Sequence, residues 1–156
     1  MSEKKTYKDL PLTPYELAEL DCSRNQVYEQ HYRTPFDYGT GEKYTPLEAH
    51  FVNRVYFHPG ITIKDMAILS KRTKSAVSQM ASKLVAKDVL RFEPHPTDAR
   101  QIKLYVTPKG DELCKAHMRH DNESYGAVLK QLIDTYGFKA VESYLEILQF
   151  MSELEE

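Results

Sequence analysis

Lys74, Ser75, Ser78, Gln79, Ser82 and Lys83 lie close together in the middle of the chain. On a helix, Ser75, Ser78, Gln79 and Ser82 would share one face with Lys74 and Lys83 on its flanks. Val77, Met80, Ala81, Leu84 and Val85 would share the other face, as a core side. The outward set suits hydrogen bonding to base edges and phosphates. Glutamine can pair bidentately with adenine, serine with several edges, and lysine with guanine or phosphate. Any amphipathic helix is polar outward, so the polarity alone says little. The absence of Asp and Glu from 74–87 is what favours nucleic acid. A second element of the same chemistry is Asp98-Ala99-Arg100. There the acid could hold the guanidinium ready for a narrow minor groove, or the two could form a simple hairpin ion pair. Thr62 and Thr73, each just ahead of a short helix, complete the expected DNA-contacting set.

The other candidate chemistry is on a long helix near the C-terminal end. His117 and Asp121 are four residues apart, so their side chains converge on one face and could share a metal ion, with His50 and His31 from earlier helices completing the set. The pair falls within an apolar seam of Cys114, Met118, Tyr125, Val128 and Leu132. In such a seam a polar pair can also simply fix register. A third reading is an organic effector, because the 11 tyrosines and 6 phenylalanines could line an aromatic-ligand pocket as well as fill a core. Cys22 lies off the apolar stripe of its helix and Cys114 on the seam, and neither has the cationic neighbour that a sensing thiol needs. Two cysteines are too few for a disulfide framework, which implies a reduced, cytoplasmic setting.

The elements that must position these residues can be read from breakers and caps. A helix is expected over about 14–33, with Leu17, Leu20, Val27, Tyr28 and His31 as its stripe, followed by a loop over 34–45. Pro46 can open a second helix, which His58-Pro59-Gly60 ends. Thr62-Ile63-Lys64-Asp65 matches a capping box before a short helix over about 63–70, and Thr73 caps the next, to about Lys87. Val89–Phe92 and Ile102–Val106 read as a two-stranded hairpin whose turn-rich tip is Glu93–Asp98. Thr107-Pro108 starts a long helix that Gly137 closes, and a last helix follows over about 139–154. The fold expected is mainly α (α+β): a winged helix-turn-helix over 46–106 within a single 1–156 domain, with flanking dimerisation helices at 10–33 and 108–154.

Charge supports this division. The net charge of −2 conceals a basic centre: residues 61–109 carry ten Lys/Arg against four Asp/Glu, and the segments on either side are both net acidic. A basic centre between acidic ends suits a segment that faces phosphates. No apolar run is long enough to span a membrane, and the first ten residues have no signal-like core. There is no Gly-rich phosphate loop, metalloprotease His pair or nucleophile elbow, which argues against an enzyme.

Several stretches together resemble the MarR family of bacterial regulators. These are Gly60–Ala67, Lys74–Met80, Leu84–Arg91, Asp98-Ala99-Arg100 and Val106–Gly110. The resemblance implies a triangular homodimer in which the first and last two helices dimerise and two winged units sit on a palindromic operator. It also implies release of double-stranded DNA, commonly as a repressor, when an effector binds near the dimer region. Position 88 is usually glycine in such proteins, and Asp88 stands there. The histidines further resemble the zinc-responsive branch of the family, although Ala49 and Ala116 stand where that branch has acids and Asp121 replaces a histidine. The alternative is a winged helix that serves protein contacts without binding DNA.

Overall fold

The computed structural model describes residues 5–98 and 101–154. Helices are α1 (Pro14–Arg33), α2 (Pro46–Phe57), α3 (Ile63–Leu69), α4 (Lys74–Ala86), α5 (Pro108–Tyr136) and α6 (Phe138–Leu154). Strands are β1 (Phe36–Asp37), β2 (Lys43–Tyr44), β3 (Ile61–Thr62), β4 (Leu90–Pro94) and β5 (Ile102–Val106). No helix among the described residues is long and apolar enough to cross a membrane.

One local device starts most of the helices. Thr13, Thr45 and Thr107 are each followed by proline, and each threonine hydroxyl accepts the backbone N–H three residues on. Proline is tolerated at the first helical position because its missing N–H had no intrahelical partner to lose. Glu16 and Glu48 return the bond to the capping residue's own N–H, closing two capping boxes. Thr62 and Thr73 cap α3 and α4 in the same way. Each cap contributes about 1 kcal/mol.

Two elements differ from the sequence reading. Residues 34–45 are not simply a loop. β1 and β2 pair antiparallel, Phe36 with Tyr44 and Asp37 with Lys43, and the Asp37 carboxylate accepts the N–H groups of Gly39, Thr40 and Gly41 across the turn. Two-residue strands are too short for a period-two pattern to register. For the same reason β3 was not legible. It adds to β5 and turns the expected hairpin into a three-stranded sheet of order β3-β5-β4.

The core lies between α2, the α3–α4 pair, this sheet and the first turns of α5, with Val52, Met66, Val77, Leu84, Leu104 and Leu113 fully buried. Asp88 takes the left-handed conformation at φ 59°, so the turn after α4 forms without glycine. The start of α5 closes that turn: the Thr107 hydroxyl donates to Asp88 O at 2.6 Å, and Lys109 Nζ donates to Lys87 O at 2.9 Å. α1 buries none of its residues, and Leu17, Leu20, Val27 and Tyr28 remain exposed along it.

Candidate nucleic-acid interface and effector cavity

α4 separates its faces as its sequence demands. Val77, Ala81 and Leu84 are buried, Met80 and Val85 are half-buried, and Lys74, Ser75, Ser78, Gln79, Ser82 and Lys83 are exposed. Among the described residues of this outward face there is still no carboxylate. Thr73 is exposed at the start of the helix, with its hydroxyl accepting from Ala76 N. Thr62 is different: it is nearly buried in β3, and its hydroxyl donates to Asp65 Oδ2 at 2.7 Å while accepting from Asp65 N. Its hydroxyl therefore serves the start of α3.

Lys83 also has a partner within the fold. Its Nζ lies 3.0 Å from Glu48 Oε1, and so does that of Lys87. Burial alone would raise the Glu48 carboxyl. The Thr45 backbone N–H, Lys87 and Lys83 outweigh burial and hold it below the usual carboxylate range. The cluster extends to Lys43, whose carbonyl accepts from Lys87 Nζ, and to Tyr44, whose ring lies 4.6 Å from the same ammonium. The β1–β2 hairpin and the start of α2 are thus tied to the end of α4. Sequence reasoning had no means of finding this link, because its members are scattered over 43 to 87.

At the wing, Gln101 Nε2 donates to Asp98 Oδ2 at 3.0 Å. Arg100, expected to be held by Asp98, lies outside the described residues. The wing and the α3–α4 pair flank a recess of about 420 Å³, lined by Thr62, Ile63, Lys64, Lys74, Gln101 and Ile102. Among the described residues that line this recess are two lysines and no acid.

A second cavity, of about 410 Å³, lies between α1, α2 and α5. At its floor His50, His117 and Asp121 each present a ligand atom, and these atoms lie within 4.8 Å of one another. His117 Nε2 is 3.5 Å from Asp121 Oδ2. Tetrahedral zinc places nitrogen and oxygen ligands about 3.4 Å apart, at bond lengths near 2.0–2.1 Å. The three groups fit such an ion after a contraction of about 1.4 Å, and one position would remain for water. Burial lowers the pKa of both histidines, more than offsetting the opposing pull of Asp121. Both imidazoles are thus neutral at pH 7, the form that ligates a metal. His31 lines the same cavity but stands outside this cluster. His120, which sequence reasoning passed over, also lines it and packs against Phe36 and Tyr38 at ring separations of 4.8 and 5.3 Å. Its spacing of three from His117 was the signal available. Tyr28, Tyr32, Tyr38 and Tyr125 supply aromatic wall. Of the expected seam on α5, Cys114 is buried and Met118 half-buried, whereas Tyr125 and Val128 are exposed in the single chain.

Cys114 is fully buried, which pushes its thiol up to about 12, while Cys22 is exposed on α1. Only the thiolate is nucleophilic. Iodoacetamide at pH 8 is therefore expected to add to the native protein once, at Cys22, and at both sites only after denaturation. Mass spectrometry reads the count, and native labelling of Cys114 would show that its part of the core opens readily.

A helix-turn-helix of α3 and α4 followed by a β4–β5 wing, with long helices at both ends, defines the winged helix-turn-helix class of fold. Residues 44–102, from the second strand of the hairpin to the returning strand of the wing, match the MarR family model. Solved structures of that family share the fold. Zinc-responsive ZitR of Lactococcus lactis is 16% identical with a TM-score of 0.68, over 91% of this chain and 98% of that one. A mutant of MarR from E. coli, complexed with operator DNA, is 19% identical with a TM-score of 0.68, over 87% and 92%. PcaV of Streptomyces coelicolor, in complex with its natural ligand, is 15% identical with a TM-score of 0.59, over 97% and 100%. No curated protein matches the sequence. The family match covers the winged-helix part of the chain, and the likeness to these structures shows that the chain shares their fold.

Proposed function

We propose that the chain is a cytoplasmic repressor that binds a palindromic operator in double-stranded DNA as a homodimer and is released when a ligand enters the cavity between α1, α2 and α5. The observation that carries this reading is the outward face of α4, which exposes hydroxyls, an amide and a lysine with no carboxylate while its other face is buried. Ser75, Ser78 and Gln79 would read base edges. Lys74, Ser82 and Thr73 would meet the backbone, and Arg100 would enter the minor groove from the wing. Lys83 joins them only when it leaves Glu48, and Thr62 and Asp98 serve by shaping α3 and the wing. The E. coli MarR structure, complexed with operator DNA, supports DNA as the partner.

The second copy follows from exposed apolar surface. Leu17, Leu20 and Val27 on α1, and Leu145, Leu148 and Met151 on α6, have no cover in a single chain. A two-fold partner would bury both sets and place two α4 helices about one DNA turn apart.

For the ligand, the His50–His117–Asp121 cluster favours a divalent cation such as zinc, and ZitR, described as zinc-responsive, supports it. A small aromatic effector is the second reading. It is favoured by the four tyrosines and by a volume within the usual range of small-molecule pockets, and PcaV was solved with its natural ligand. Isothermal calorimetry with zinc at neutral pH, on protein without a histidine tag, separates the two. Heat saturating at one ion per chain is expected, and no heat above buffer removes the cation.

The DNA assignment is tested by substitution. Gln79→Ala is expected to weaken binding by about 1–3 kcal/mol at one base pair and to relax preference there. Arg100→Ala is expected to weaken it by a similar amount with the fold intact. Fluorescence anisotropy with labelled duplex measures both. Unchanged affinity in the double variant contradicts the reading, and no DNA retention even at low salt would mark a protein-contact module instead.

A further inference from the structure

The environment of His117 contains an atom that the cavity alone does not explain. Asn53 on α2 reaches α5, and its Nδ2 donates to His117 Nδ1 at 2.9 Å. A neutral imidazole that accepts at Nδ1 carries its proton on Nε2. That nitrogen lies 3.5 Å from Asp121 Oδ2 and, carrying the proton, has no lone pair to offer a cation. The other atom of the same amide, Asn53 Oδ1, is buried and has no hydrogen-bond partner among the described residues. A buried amide oxygen left unpaired has given up its water and gained nothing in exchange, so it costs stability. An amide can turn over, so either of its ends can face His117 in a different state of the site.

Rotating the amide half a turn exchanges its two ends. Oδ1 would then accept from His117 Nδ1–H, the proton would leave Nε2, and the Nε2 lone pair would face His50 and Asp121. A histidine that binds a metal through one nitrogen almost always donates its other N–H to an oxygen acceptor, which fixes the ring and its tautomer. Asn53 is placed to supply that acceptor, and an asparagine can serve both states because it carries a donor and an acceptor.

We infer that Asn53 is the positioning residue of the cavity: its amide holds His117 as the Nε2–H tautomer when no cation is bound and turns over to accept from Nδ1–H when a divalent cation occupies the His50–His117–Asp121 cluster. The inference rests on the cation reading above. It also gives that reading a structural consequence, because Asn53 and His117 belong to different helices and the bond between them changes sense on binding.

Two measurements test it. The first uses the unmodified protein with 15N-labelled histidine: imidazole NMR should show His117 protonated at Nε2 without zinc and at Nδ1 with it. The second compares zinc affinity in Asn53→Leu and Asn53→Asp. Leucine can neither donate nor accept, so affinity should fall about 10–100-fold. Aspartate accepts from Nδ1–H and should keep zinc affinity within a few-fold of the parent, a rescue that mere space-filling would not give. Zinc affinity unchanged in Asn53→Leu, or the same His117 tautomer with and without zinc, overturns this inference and leaves the cation reading standing. Absence of zinc binding by the parent overturns both.

Discussion

Replacing Gly110 with alanine is expected to destabilise the fold by about 3 kcal/mol, the upper end for overpacking a filled core. Gly110 is buried in the first turn of α5, where its N–H donates to the Thr107 hydroxyl at 3.1 Å. A Cβ there would stand 2.0 Å from the carbonyl oxygen of Val89 and 3.4 Å from Val106 Cβ. The first of these is a backbone atom, already bonded to Thr107 N at 3.2 Å, and cannot swing aside as a side chain could. Relief would require α5 to move away from the sheet, opening the joint where Thr107 and Lys109 cap the end of α4. A change of this size lowers the melting temperature by roughly 10 °C in a domain of this length. At Gly126, in the same helix, an added Cβ would meet nothing within 4 Å. Gly126→Ala should therefore leave stability unchanged or raise it by about 1 kcal/mol through helix propensity. Calorimetric melts of the two variants give the comparison, and equal melting temperatures would refute the close approach at Gly110.

Placing glutamate at both Leu145 and Leu148 of α6 is expected to convert the proposed dimer to monomer and, as a consequence, to abolish specific DNA binding. Both side chains are exposed in the single chain, so they contribute little to the winged-helix core. In a dimer they would be buried, and unpaired carboxylates in an apolar interface are strongly unfavourable. The variant should keep the helical content of the parent but sediment as a single chain. Its DNA affinity should fall at least about 10³-fold, to the non-specific level, because each monomer engages only one half-site. A dimeric variant with parental affinity would mean that α6 is not the dimerisation surface.

What the sequence disclosed and what it withheld follow from how far apart the relevant residues lie. The faces of α4 were legible because helical periodicity is a local property of thirteen residues. The Thr-Pro starts were legible because a cap is decided within four residues. The zinc-compatible pair His117 and Asp121 could be seen as a spacing on one helix. His50 was named as a possible partner from its residue type and from the resemblance, since nothing in a single sequence places α2 beside α5. His31 was named with it and lines the cavity from α1, but it stands outside the cluster. Glu48 and Asn53 went unnoticed. One is a capping glutamate like Glu16 and the other an ordinary helix residue until α4 and α5 bring their partners to them. β3 escaped because its two residues, which follow a left-handed Gly60 and end on the cap of α3, contain no pattern to read.

All of these features matter for function only if two copies present their α4 helices to one duplex. In vitro selection from a random double-stranded library tests this most directly, because the operator sequence need not be known beforehand. Enriched duplexes should contain an inverted repeat with half-sites about one helical turn apart, and the complex mass should correspond to two chains per duplex. Binding should weaken about 10³-fold or more between 50 and 200 mM salt if six or more phosphates are contacted. A library with no enrichment above background, or enriched sites that bind a single chain without symmetry, would contradict the account.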